Sequence, residues 1–142
     1  MQPHHPVSQR RELAPLLRSV VKVLCVSDSP DYEQPWQTQG PTSSFGSGCI
    51  IATGRGPRVL TNAHCVANSA FVEVRRYGNA AKYVADVEAI SQGCDLALLR
   101  IDDSSFCHGA TPIEIGALPK LSDRVSVCGY PIGGDRISIT EG

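Results

Sequence analysis

Two residues in this chain, His64 and Asp95, are of the types and in the order that proton-transfer chemistry uses. Histidine is the side chain whose unperturbed pKa lies nearest neutrality, which suits it to a general base, a metal ligand or a pH switch. An aspartate that holds one ring nitrogen fixes the tautomer, and it stabilises the cation once the other nitrogen has taken a hydroxyl proton. His64 lies in LTNAHCV (60–66), at the end of an apolar run, and Asp95 opens the apolar string DLALL 31 positions later. A carboxylate at the rim of a core loses solvation unless it is paired, so an imidazole N–H is a fitting partner. Each residue also has a plainer reading: His64 as a strand cap, Asp95 as a turn residue where a strand starts. His4, His5 and His108 sit in polar, turn-rich surroundings with no evident partner.

The elements that must position this pair read as short strands. Residues 1–10 form a polar arm, and RELAPLLRS suggests a short helix that Pro15 starts or interrupts. From Ser19, SVVKVLCVS has the apolar density of a strand. SDSPDYEQPWQTQGPTSS, rich in Pro, Ser, Asp and Gln, predicts a long surface loop. FGSGCIIAT and PRVLTNA are two apolar runs joined by Thr53-Gly54-Arg55-Gly56-Pro57, where glycine permits the positive φ of a hairpin turn. Strand, turn and strand therefore lead directly into His64. AFVEVRRYG and KYVADVEAI alternate as solvent-edged strands, the second with Tyr83, Ala85, Val87 and Ala89 on one face. DLALLRI (95–101) is more uniformly apolar, which predicts deeper burial. A loop containing Ser104 and Ser105 as a polar turn follows, then a short PIEIG segment. RVSVCGYPIGGDRISIT reads as a hairpin with PIGGD at its turn. No internal repeat appears, and this spacing of strands favours an all-β barrel or sandwich.

Bulk properties set the limits. At 142 residues the chain is one ordinary domain by length, able to bury a single core. Thirteen basic against fourteen acidic residues leave a formal charge of −1, which gives no footprint for nucleic acid or an anionic membrane. No transmembrane run and no secretory signal are evident, so the expected location is intracellular, in cytosol or an organelle. Of the six cysteines (25, 49, 65, 94, 107 and 128), several lie inside apolar β patterns (VVKVLCV, SGCII, VSVCGY), where a free thiol behaves as a small hydrophobe. No C-x-x-C or H-x-x-x-H spacing occurs, so no metal site is expected.

LTNAHCV, with FGSGCII upstream and CDLALLRI and VCGYPIGGDRISITEG downstream, resembles the Deg/HtrA (protease Do-like) family of chymotrypsin-fold serine proteases, from about Ser19 to Gly142. The resemblance implies a six-stranded Greek-key barrel, the first of two, with the active site between them. Residues 1–18 would be an N-terminal arm, 19–120 the first barrel, and 121–142 the opening hairpin of the second. His64 would be the general base and Asp95 the orienting acid, with Gly46-Ser47-Gly48 a packing element beside the cleft. Substrates would be unfolded or damaged proteins, as in protein quality control, and the assembly a trimer-based homo-oligomer without cofactor. Secreted chymotrypsin relatives often bridge two cysteines that bracket this histidine, as Cys49 and Cys65 do here; the Deg/HtrA family does not require that bridge.

One element of the family pattern is missing from these residues. No serine stands in a G-N-S-G-G context: Ser47 precedes the histidine, in the wrong chain order. The oxyanion-hole donors carried by that loop are missing with it. The 142 residues are thus read as the base-and-acid half of a serine endopeptidase, inactive alone, in an N-terminal fragment or truncated gene product. The other reading is a pseudo-protease or peptide-binding module that keeps the barrel. The hairpin near 123–141 is expected to present unpaired edges.

Overall fold

A computed structural model of the chain describes residues 13–30, 32–36, 38–131 and 134–142. The polar arm over 1–10 lies outside them. Residues 13–17 are helical (α1), with Pro15 among them. Six strands follow: β1 Val20–Pro30, β2 Thr38–Thr53, β3 Gly56–Thr61, β4 Ser69–Arg76, β5 Tyr83–Ser91 and β6 Leu96–Arg100. A short helix α2, Ala63–Val66, separates β3 from β4. All pairings are antiparallel, in the closed order β1-β2-β3-β6-β5-β4, so that two three-stranded meanders join edge to edge. The all-β barrel expected from the sequence is what forms.

Closure follows from the alternation of the strands. Val21, Val23 and Cys25 of β1, Val72 and Val74 of β4, Ala97 and Leu99 of β6, and Tyr83 and Ala85 of β5 all turn inward with Ile50 and Val59. Period-two side-chain placement makes each strand bury one face, and closing the sheet leaves no edge unpaired. The 3-10 turn Ser104–Cys107 supplies Phe106 to this core, edge-on to Tyr83 at 5.1 Å between ring centres. The predicted polar turn at Ser104 and Ser105 is that helical turn, capped by Asp103, whose carboxylate accepts from the Ser105 N–H at 2.9 Å.

Four sequence expectations are corrected. The long polar loop is mostly a ribbon: β1 runs to Pro30 and β2 starts at Thr38, with Ser27 opposite Thr42 and Asp28 opposite Pro41. A ribbon standing in water needs no apolar alternation, so its composition looked like loop. β4 and β5 have no solvent edge, because β4 pairs with β1 as well as β5. The inward face of β5 ends at Val87, where a bulge shifts the register by Ala89. That bulge lets Glu88 meet Arg58 of β3 and, at 3.2 Å, Arg55 of the preceding turn. In β6, only Ala97 and Leu99 are buried, while Leu96 is exposed and Leu98 is intermediate.

Beyond the barrel, residues 108–122 cross without regular structure, touching it where the Ile113 N–H donates to the Ile50 carbonyl at 2.8 Å. The PIEIG segment therefore forms no strand. The predicted terminal hairpin is present as β7 (Ser126–Gly129) and β8 (Ser138–Glu141), in register from Ser126 opposite Glu141 to Gly129 opposite Ser138. Part of its PIGGD turn lies outside the described residues.

Candidate active site

β3 and β6 run antiparallel with Thr61 opposite Ala97, so the end of one strand and the start of the other meet at one rim of the barrel. That pairing closes the 31-residue gap between His64 and Asp95. On the β3 side, Ala63 and Val66 are buried and pin both ends of α2, leaving His64 between them with 70% of its side chain exposed. On the β6 side, Asp95 occupies the left-handed region at φ 52°, a conformation that aspartate tolerates better than most residues.

Asp95 then makes three kinds of bond across this rim, to the residues that follow β3. Its Oδ2 stands 2.6 Å from His64 Nδ1, and its Oδ1 accepts the backbone N–H of His64 at 2.9 Å. Its own carbonyl accepts the Ala63 N–H at 3.1 Å. The first two free N–H groups of α2 are thus satisfied from another strand, which is the work usually done by an N-cap side chain. Those bonds hold the Asp95 carboxyl below the usual carboxylate range: chiefly the His64 backbone N–H, then the imidazole. The carboxylate stays ionised and clamps the ring through Nδ1, which leaves Nε2 outside that bond. This arrangement can accept a hydroxyl proton at Nε2 and stabilise the resulting imidazolium.

Asn62 is the residue that the sequence reading passed over. It sits at the N-cap position of α2, a place its type favours, yet makes no cap bond there. Its amide donates instead to the Asp95 carbonyl at 3.1 Å and to Oδ2 at 3.3 Å. The signal was present in the string LTNAHCV, where an N-cap type immediately precedes the helix that carries the base.

Gly46-Ser47-Gly48 has the packing role expected of it. A Cβ on Gly46 would stand 2.5 Å from Cys65 Sγ, and one on Gly48 would stand 2.8 Å from the Leu60 carbonyl oxygen. Ser47 Oγ accepts the Tyr130 N–H at 2.7 Å, so this hydroxyl is committed to the hairpin. The six cysteines are free thiols, Cys49 and Cys65 included. Gly46 and Gly48 face inward on β2, so Cys49, one residue on, points to the other face; the position opposite Cys65 is Gly46. Burial, and after it the Asp95 charge, pushes the Cys65 thiol up, so it is no thiolate beside the base.

The trypsin-like peptidase domain family matches residues 46–142. Among curated proteins, the chain is 47% identical over 129 residues to protease Do-like 2, chloroplastic, and 46% identical over 126 residues to protease Do-like 4, mitochondrial, both of Arabidopsis thaliana. The alignments cover 91% and 89% of this chain, and 21% and 24% of those proteins. A serine protease DegP homolog of Plasmodium falciparum is 38% identical, over 88% of this chain and 14% of its own length. The chain thus spans about a quarter or less of the length of these curated relatives. Among solved structures, the Rv3671c protease from M. tuberculosis in its active form superposes with a TM-score of 0.70 at 27% identity, over 99% of this chain and 54% of that one. The serine endoprotease from Yersinia pestis shares the fold, with a TM-score of 0.69 at 24% identity, over 98% of this chain and 44% of that one. With the barrel, the family match over two-thirds of its residues and these relatives, the chain belongs to the trypsin-like peptidases, in the Deg/HtrA (protease Do-like) family.

Proposed function

We propose that these residues supply the base and acid of a serine endopeptidase of Deg/HtrA type, with His64 as general base and Asp95 as its orienting carboxylate. The observation that carries this reading is the double capture of His64 by Asp95, at 2.6 Å through Nδ1 and at 2.9 Å through the backbone N–H. In the reaction, Nε2 takes the hydroxyl proton of a serine as its oxygen attacks a peptide carbonyl. Nε2 then returns the proton to the leaving amine, and water repeats the cycle on the acyl-enzyme. That serine would come from sequence outside these 142 residues. Unfolded or damaged proteins are the proposed substrates, in a trimer-based homo-oligomer, as membership in the family suggests. An intracellular location, in cytosol or an organelle, is part of the same proposal.

Casein hydrolysis, together with labelling by a serine-directed fluorophosphonate, tests the proposal in the protein that carries these residues. His64→Ala should lower kcat by about five to six powers of ten, and Asp95→Asn by about four, since the base loses its tautomer as well as its ion pair. Retention of most activity by Asp95→Asn would sink its assigned role. The second reading is a pseudo-protease or peptide-binding module that keeps the barrel. Casein bound without cleavage and without label would decide for it.

A further inference from the structure

At the end of β4 farthest from α2, the turn after the strand meets the tip of the terminal hairpin around a cavity of about 540 Å³. Arg75, Arg76 and Arg136 line it with Asn79, Tyr130 and a single acid, Asp135. That acid is already outnumbered: Lys22 Nζ holds its Oδ1 at 2.6 Å and Arg75 Nη2 holds the same oxygen at 3.0 Å. Arg76 gives Nη1 to the His108 carbonyl at 2.7 Å, and its Nε is closed off from solvent with no hydrogen-bond partner among the described residues. An unspent buried donor of this kind is uncommon in folded proteins. Arg136 is exposed and makes no ion pair or hydrogen bond among the described residues.

Four cationic groups therefore gather about one carboxylate in a chain whose formal charge is −1. The excess is local, which removes the extended basic track that nucleic acid would need. Guanidinium groups pair with carboxylates in forked, charge-assisted hydrogen bonds, and the aromatic wall of Tyr77 and Tyr130 offers flat surface to an aliphatic stem. We propose that this cavity is a docking site for an acidic segment of polypeptide, whose carboxylate side chains are received by Arg76 and Arg136. The site is separate from the His64–Asp95 pair and is read by binding, so its outcome does not depend on peptidase activity.

Fluorescence anisotropy of a labelled, glutamate-rich octapeptide on the 142-residue chain tests the proposal. Saturable binding is expected, with none for a lysine-rich peptide of equal length. Arg136→Gln should weaken it about fivefold and the pair Arg76→Gln/Arg136→Gln at least about tenfold, the loss of charge-assisted contacts. Arg136 has no partner to lose among the described residues, so this single variant stays informative if the double variant is unstable. Arg55→Gln, the same charge change on the exposed β2–β3 turn, should leave binding unchanged. Equal weakening by Arg55→Gln, or no saturation, would overturn the site. Displacement of the peptide by inorganic phosphate at a lower concentration than by unlabelled peptide, at matched ionic strength, would overturn the polypeptide ligand in favour of a small anion.

Discussion

The barrel and the terminal hairpin are both antiparallel, both alternate apolar with polar residues, and are held together by different forces. In the barrel, alternation is rewarded: Val21, Ile50, Val59, Val74 and Leu99 are sealed from water, and every strand has two neighbours. In the hairpin, β7 and β8 pair only with each other among the described residues, and Val127 stays 65% exposed. Polar ties fix its position: Ser47 Oγ with the Tyr130 N–H, and Lys22 with Asp135 and the Gly134 carbonyl. The same sequence pattern thus yields a core where the sheet closes, and a surface tethered by side chains where it does not. The candidate site belongs wholly to the closed part, which explains how a base and an acid 31 residues apart can be held to hydrogen-bond precision.

The strongest test of the contrast is a cavity in the barrel. Leu99→Ala should cost about 2–5 kcal/mol, since the side chain is fully buried and the closed sheet has little room to collapse around the gap. Urea unfolding followed by circular dichroism would measure it. A cost under about 1 kcal/mol would mean that the barrel interior is as loosely held as the hairpin.

Next comes the approach of β2 to α2. Gly46→Ala places a Cβ 2.5 Å from Cys65 Sγ and 3.3 Å from Cys65 Cβ, so the thiol must rotate away and the helix that carries His64 must give by a few tenths of an ångström. Overpacking of this sort costs about 1–3 kcal/mol, read by the same denaturation. Gly46→Cys offers a way around the clash, because its Cβ would lie 3.3 Å from that of Cys65, close to the ~3.5–4.5 Å of a disulfide. Oxidation of that variant should remove two hydrogens, seen by mass spectrometry on the peptide pair, whereas the Cys49–Cys65 pair should stay reduced.

This glycine shows what could be read from the sequence and what could not. Strand positions were legible wherever one face was buried, as in SVVKVLCVS and AFVEVRRYG, because period two marks the inward face directly. Which strand lies beside which was not: alternation says how a strand faces, and only the fold says that β1 meets β4. Nor does alternation reveal the bulge at Glu88, which depends on Arg55 and Arg58 reaching it from another hairpin. At the site, residue type and order picked out His64 and Asp95. The left-handed Asp95 backbone, the capping of α2 from across the rim and the turn of the Asn62 amide toward Asp95 are products of tertiary contact. The same holds for Cys49, whose sequence neighbourhood matched a bridge that its face of the strand forbids.

A smaller effect is expected from the hairpin tether. Lys22→Met removes the cation held by Asp135, and amide exchange across β7 and β8 should quicken on the order of tenfold while β1 and β6 hold, the value of one charge-assisted hydrogen bond. Acid should do the same to the wild type. Lys22, then Arg75, keeps the Asp135 carboxyl below the usual range, so the tether is complete above the ordinary carboxylate pKa of about 4 and is lost as pH falls through the lower folded value. A hairpin that loosens between pH 7 and 5 would contradict that sign.

The smallest effect should come from the exposed face itself. Val127→Thr keeps the β-branched shape on β7 but adds a hydroxyl where the side chain is 65% exposed, so stability should change by no more than about 0.5 kcal/mol. Val74→Thr makes the same chemical change on β4, where the side chain is fully buried, and the hydroxyl must find a partner or pay for desolvation; about 1–3 kcal/mol should be lost. The two variants carry equal volume and equal polarity, so the ratio of their costs measures how far each region relies on excluding water. Similar costs at both positions, from parallel urea curves, would mean that Val127 is covered in solution, by a second copy of the hairpin or by another surface, and the contrast between closed and open sheet would fail.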